Sequence, residues 1–216
     1  MFDVACDRPI EPILHVAIAS GLRQGEVLGL HWDQIDLDAA VVRVEGALKP
    51  ATGLGLVYGT TKENKLHAVV LGPTTVDILR RHCARQAERR LRVGEAYVDR
   101  GYVVTHGDGR PIHPQTLRKW WKKLLRRAAI TQPWPRWHDL RHTNDTMLLE
   151  LGVHPTIVAE RFGHATTEQT TETYSHVTLG MQHQAAQMLD QRLYANGDPR
   201  GPEMDLFRPI QGGQRK

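Results

Sequence analysis

The chain has 216 residues, 40% of them hydrophobic and 24% charged, a balance that suits one globular domain, alone or with a tail, and excludes global disorder. No apolar run reaches membrane-spanning length and no secretory signal opens the chain, so no membrane contact is expected and the cytoplasm is the default compartment. Cys6 and Cys83 are the only cysteines, which excludes a disulfide framework or a cysteine-rich zinc site, and the formal charge of +4 permits a polyanionic partner without establishing one.

In chain order, apolar residues at helical spacing predict a helix over 9–20, closed by Ser20-Gly21, and a short one over 24–30. A turn is expected over 33–38, then short strands over 41–44, 56–60 and 67–71, with 61–66 as a polar hairpin turn. Pro73 opens a long charged helix to 93. Residues 102–104 suit a small strand, and Pro114 opens a helix to about 129. After the rigid connector Trp134-Pro135-Arg136-Trp137, helices are expected over 138–151, 155–163, 167–177 and 181–194. The fold class is therefore α+β, mainly helical, with a small antiparallel sheet. Gly and Pro are frequent over 196–216, which predicts a flexible C-terminal tail.

The charge is concentrated. Between Arg80 and Arg127 stand 14 Lys and Arg against 4 Asp and Glu, a net of +10, which leaves −6 for the rest of the chain. A solvated helix face is the ordinary reading of such a run. Over 114–129, however, Arg118, Lys122 and Arg126 recur every fourth residue opposite an apolar stripe of Leu117, Trp121, Leu124 and Leu125. Together with Lys119 and Lys123 they make one basic face that can follow a phosphate backbone.

His138-Asp139-Leu140-Arg141 places two donors on one face near a helix start, where an anion is favoured. Alone, it reads first as an ordinary capping histidine and a surface arginine. His138 and His142 also have zinc spacing, but the glutamate of a metallohydrolase helix is missing and Arg141 would repel the ion. Two further boxes change this reading: Gly21-Leu22-Arg23-Gln24-Gly25-Glu26, and Phe162-Gly163-His164 followed ten residues later by Tyr174 within Thr173-Tyr174-Ser175-His176-Val177. In this order and spacing, with His138-Asp139-Leu140-Arg141-His142-Thr143 between them, the boxes resemble the catalytic domain of the tyrosine recombinase, or phage integrase, family from about residue 9 to 195.

The resemblance implies a site-specific recombinase that cleaves and rejoins DNA strands through a 3′-phosphotyrosyl intermediate. By it, Tyr174 is the nucleophile, Arg23 and Arg141 clamp the scissile phosphate, and His138 and His164 are the histidine-box residues. Lys62 is the β-hairpin lysine, with Lys65 as fallback, and Glu26 orients Arg23. Arg118, Lys119, Lys122 and Lys123 are expected to contact DNA. No metal or other cofactor is expected, because fixed cations can stabilise the charge that develops on the phosphate. The implied partners are double-stranded DNA and further copies of the chain in a tetrameric synapse, placing the protein at the nucleoid.

Full-length relatives carry an N-terminal helical domain that grips the opposite DNA face. About 22 residues precede Arg23, so residues 1–195 are expected to be a trimmed catalytic domain without that core-binding domain. Whether such a chain is active by itself is left open by its residues. The alternative is a catalytically silent DNA-binding remnant. A helix over 181–194 that docks on a neighbouring protomer, and a type IB topoisomerase with the same chemistry, are further readings.

Overall fold

The computed structural model describes residues 1–60, 67–163, 172–194 and 197–200, with backbone alone over 172–178. Helices α1 (Phe2–Ala5), α2 (Glu11–Ser20) and α3 (Gln24–Gly29) come first. Five strands follow: β1 (Ile35–Asp36), β2 (Val41–Val44), β3 (Ala47–Ala51), β4 (Gly55–Gly59) and β5 (His67–Val70). The rest is helical: α4 (Pro73–Val93), α5 (Pro114–Arg127), α6 (Asp139–Glu150), α7 (Pro155–Arg161) and α8 (Glu172–Leu193). The domain is mainly α-helical with small antiparallel sheets, as its sequence pattern predicts.

Helix α2 is the axis of the fold. Every residue from Glu11 to Ser20 is buried, the condition of a helix packed on all sides. α3, α4, α6 and α8 lie against it. Its one buried acid, Glu11, is held by Arg85 of α4 at 3.0 Å. β2 alternates as a half-buried strand should, with Val42 and Val44 inside and Arg43 outside. It is central in the sheet β1-β2-β5, pairing Val42 with both Ile35 and Val69.

Helix α8 closes the core through a shared cap. Asp190 accepts from Thr74 N at 3.2 Å and Thr74 Oγ1 at 2.8 Å, so a side chain on α8 caps the start of α4. The approach is close enough that a Cβ on Gly72 would fall 2.4 Å from Asp190 Cβ. Four residues beyond Asp190, Tyr194 Oη meets His15 Nδ1 of α2 at 2.8 Å, and Phe2 stacks on the other side of that imidazole at 4.6 Å. Ala185, Ala186, Leu189 and Leu193 are buried in the same chain.

Four expectations change. β3 is an additional strand beyond those expected; an edge hairpin tolerates a proline, and Pro50 pairs with Leu56 of β4. Residues 35–36, expected in a turn, add a short edge strand to β2. Residues 102–104 form no strand; Tyr102 bridges only His31, flanked by Trp32 N to Gly101 O and Val103 N to Leu30 O, both at 2.9 Å. The last two predicted helices are one element, α8, over its described range: Gly180 costs a helix interior about 1 kcal/mol, too little to break it when packing continues.

Candidate DNA strand-transfer site

The site is built on the C-terminal end of α2. Gly21 caps this helix at φ +68°, and a Cβ there would fall 2.2 Å from Cε1 of Phe162. Conformation and space both demand glycine. Two residues on, Arg23 starts α3 in extended backbone. The Glu26 carboxylate accepts from Arg23 N at 2.7 Å and from its Nη1 at 3.0 Å. Glu26 is 2% exposed, whereas the Arg23 side chain is 41% exposed. The carboxylate therefore aims a guanidinium that remains open to solvent.

Arg141, in the first turn of α6, reaches back to the same place. Its Nη1 donates to Gly21 O at 2.7 Å and its Nη2 to Phe162 O at 3.0 Å, while the guanidinium lies 4.2 Å from the centre of the Phe162 ring. Burial, then the nearby positive charge of Arg23, pushes its pKa down to about 10, against the pull of Glu26 and Asp145. Arg141 thus lies within electrostatic reach of Arg23 and stays charged at neutral pH.

Two residues outside the sequence-derived set complete this end of α2. Asn144 Nδ2 donates to Ile18 O at 2.6 Å. Arg161 is fully buried and donates to Ala19 O and Val70 O, each at 3.0 Å. The carbonyls of Ile18, Ala19 and Gly21, at the negative end of the helix, each meet a side-chain donor from α6 or α7. The available signal was a polar residue on an apolar stripe: Arg161 follows Ile157 and Val158 at helical spacing, and Asn144 lies between Leu140 and Leu148.

His138 occupies the N-cap position of α6 without a side-chain capping bond, its ring edge-on to His142 at 4.9 Å. Burial, then His142 and Arg141, lowers its pKa, so the neutral imidazole prevails at pH 7. Among the described residues no third metal-ligating side chain joins this pair. An aromatic cluster fixes the cap. Trp137 is buried against Trp121 of α5, edge to face at 5.3 Å, and Trp121 Nε1 donates to Pro135 O at 2.8 Å. The tryptophans of the 134–137 connector are thus packing anchors.

Helix α5 buries Pro114, Leu117, Trp121, Leu124 and Leu125 and exposes Arg118, Lys119, Lys122, Lys123, Arg126 and Arg127. Its start touches the turn that carries Arg23, where Gln24 Nε2 donates to Pro114 O at 3.3 Å.

Lys62 and His164 lie outside the described residues. Their flanks meet: Gly163, at φ +67°, would carry a Cβ 3.0 Å from Nδ1 of His67, the first residue of β5. Tyr174 falls in the first turn of α8, within the part described by backbone alone. The structure thus brings together Arg23, Glu26, Arg141 and His138.

An exposed arginine aimed by a buried carboxylate, a second arginine fastened to the same turn, and a basic helix at their edge form a cationic surface on a mainly helical domain. The family model for the phage integrase family matches residues 6–180, and the chain belongs to that family, as a tyrosine recombinase catalytic domain. It is 33% identical over 193 residues to a XerC-like tyrosine recombinase of Caldanaerobacter subterraneus subsp. tengcongensis, covering 84% of this chain and 49% of the relative. It is 24% identical to the integrase of Staphylococcus phage L54a, over 84% of this chain and 51% of that protein. The chain spans about half the length of these relatives. In fold it is similar to the Tn1549 transposon integrase, solved with transposon right-end DNA, at TM-score 0.63 and 17% identity over 82% of this chain and 61% of that one. XerA recombinase gives TM-score 0.61 and 20% identity over 82% and 59%. Among the described residues no helix is long and apolar enough to cross a membrane.

Proposed function

We propose that this chain is the strand-transfer domain of a site-specific DNA recombinase, with Tyr174 as nucleophile. The observation that carries the reading is the shared anchorage of Arg23 and Arg141 at Gly21. Two guanidiniums held on one rigid turn can bind both non-bridging oxygens of a phosphodiester, and their charge is matched to the negative charge gained in the transition state.

In the proposed reaction the Tyr174 hydroxyl attacks phosphorus in line. The phosphorus to 5′-oxygen bond breaks and a 3′-phosphotyrosyl bond forms. A tyrosine hydroxyl titrates near 10, so its proton must leave during attack. His138, neutral by virtue of its surroundings, accepts or relays that proton. Lys62 protonates the departing 5′-oxygen and His164 hydrogen-bonds the phosphate. One phosphoester is exchanged for another, so a 5′-hydroxyl can reverse the step and reseal the strand. The face of α5 formed by Arg118, Lys119, Lys122 and Lys123 follows the flanking backbone, and further copies assemble with it on DNA.

The test is a nicked suicide substrate from which the cleaved 5′ fragment diffuses away. A covalent protein–DNA adduct that disappears in Tyr174→Phe supports the reading. Salt-sensitive DNA binding without adduct on any cognate site selects the silent DNA-binding remnant instead.

A further inference from the structure

Arg161, the last residue of α7, is fully buried, and among the described residues no carboxylate pairs with it. Burial lowers its pKa to about 10, so it stays charged at neutral pH. Its two terminal nitrogens bind different parts of the fold. Nη1 donates to Val70 O at the end of β5, and Nη2 to Ala19 O in the last turn of α2, each at 3.0 Å.

Both elements lead to residues of the site. Two positions past Ala19 is Gly21, whose carbonyl holds Arg141, and Arg23 follows at the start of α3. β5 is the strand that follows Lys62 in the chain, with Val70 eight positions on. In the order β1-β2-β5 it is an edge strand, and α7 packs against it. Arg161 holds its last residue, while Gly163 lies against its first, where a Cβ would fall 3.0 Å from Nδ1 of His67. What a buried guanidinium adds over an apolar filler is direction. It is planar and its donors have a fixed spread, so one group bound to two carbonyls sets the distance between the elements that carry them.

We propose that Arg161 is a positioning residue that fixes the spacing between the turn presenting Arg23 and Arg141 and the strand that follows Lys62. The arginines and the proton donor for the departing 5′-oxygen act on one phosphate at one moment, so the reaction depends on that spacing. A misplacement of about 1 Å is enough to cost about 100-fold in rate. Arg161 itself touches neither DNA nor the reacting atoms, and its role rests on the strand-transfer reading.

The experiment uses the full chain, Arg161→Lys and Arg161→Gln, on two suicide substrates: one with the natural phosphodiester and one with sulfur in place of the bridging 5′-oxygen. In both, the Tyr174 oxygen bonds to phosphorus and the bond to the 5′ atom breaks. The 5′-oxygen needs a proton as it leaves. A thiol titrates near about 8.5, so the sulfur departs with the electron pair as a thiolate and needs none. Each variant keeps a polar donor but loses the fork. Single-turnover adduct formation at saturating DNA is expected to fall by about 100-fold on the oxygen substrate and by less than about tenfold on the sulfur one, so the sulfur-to-oxygen rate ratio rises over that of the unsubstituted chain. A smaller folded fraction or a weaker arginine clamp slows both substrates alike, so the ratio does not depend on how much of either variant folds. An unchanged ratio overturns the proposal and leaves Arg161 a stabilising residue only. Adduct from neither substrate with the unsubstituted chain overturns the strand-transfer reading instead, and the positioning role with it.

Discussion

Arg141 donates to the carbonyl of Gly21 at 2.7 Å, so one of the two site arginines is fastened to the turn that presents the other. Gly21→Ala disturbs this link twice. It places a side chain in the left-handed region, costing about 1–2 kcal/mol, and drives a methyl into Phe162, the ring under Arg141. The expected outcome is a lower Tm and a cleavage rate reduced by more than the lost stability accounts for. Thermal unfolding and suicide-substrate kinetics on the same preparation check it.

Conservative replacement of the arginines separates charge from geometry. Arg23→Lys keeps a cation at an open position, so folding is expected to be unchanged. The forked contact to phosphate is lost, and cleavage falls by about 100- to 1,000-fold, the usual cost of one transition-state donor. Arg141→Lys also replaces a fork that reaches two buried carbonyls with a single nitrogen, so it is expected to lose stability as well as rate. A comparison of kcat with DNA affinity for both variants tests the distinction.

Arg161 is a buried cation whose acceptors are carbonyls. Arg161→Met removes the charge but leaves Ala19 O and Val70 O without their donor. A loss of about 2–4 kcal/mol is expected from the two unsatisfied acceptors. Equilibrium urea unfolding reads it, and a neutral result would show that burying this charge costs as much as its hydrogen bonds contribute.

The burial of His15 makes the fold acid-sensitive. Burial, then Arg81, lowers the His15 pKa to about 3. The unfolded chain, with an ordinary value near 6.5, takes up a proton that the folded chain refuses. This contribution is therefore complete above pH 6.5 and is lost as pH falls from there toward 3, by up to about 1.4 kcal/mol per pH unit. His15→Phe is expected to flatten the stability profile in this window while preserving the stack on Phe2. An unchanged slope would assign the acid sensitivity to other groups.

Asp190 joins α8 to α4 by capping Thr74 N. Asp190→Ala is expected to cost about 1 kcal/mol, typical of a lost N-cap, and Asp190→Asn less. Gly72→Ala is expected to be more damaging than either, because its methyl meets Asp190 itself. Chemical denaturation of the three variants gives the order directly.

Periodicity and motif order in the sequence determined the helical class, most helix limits, the paired boxes around Arg23 and Arg141, and the basic face of α5. These are local properties, set by side chains three or four residues apart and by glycines and prolines that punctuate the chain. It could not show that β3 survives Lys49 and Pro50, because pairing with β4 is what stabilises that strand. Nor could it show that Arg161 and Asn144 are interior residues. Their acceptors, the carbonyls of Ala19 and Ile18, are 142 and 126 residues away. Only the folded chain brings a helix end whose carbonyls need donors against two helices that supply them. The residue types for chemistry are written in the sequence; the rigidity with which they are held is a property of that tertiary contact.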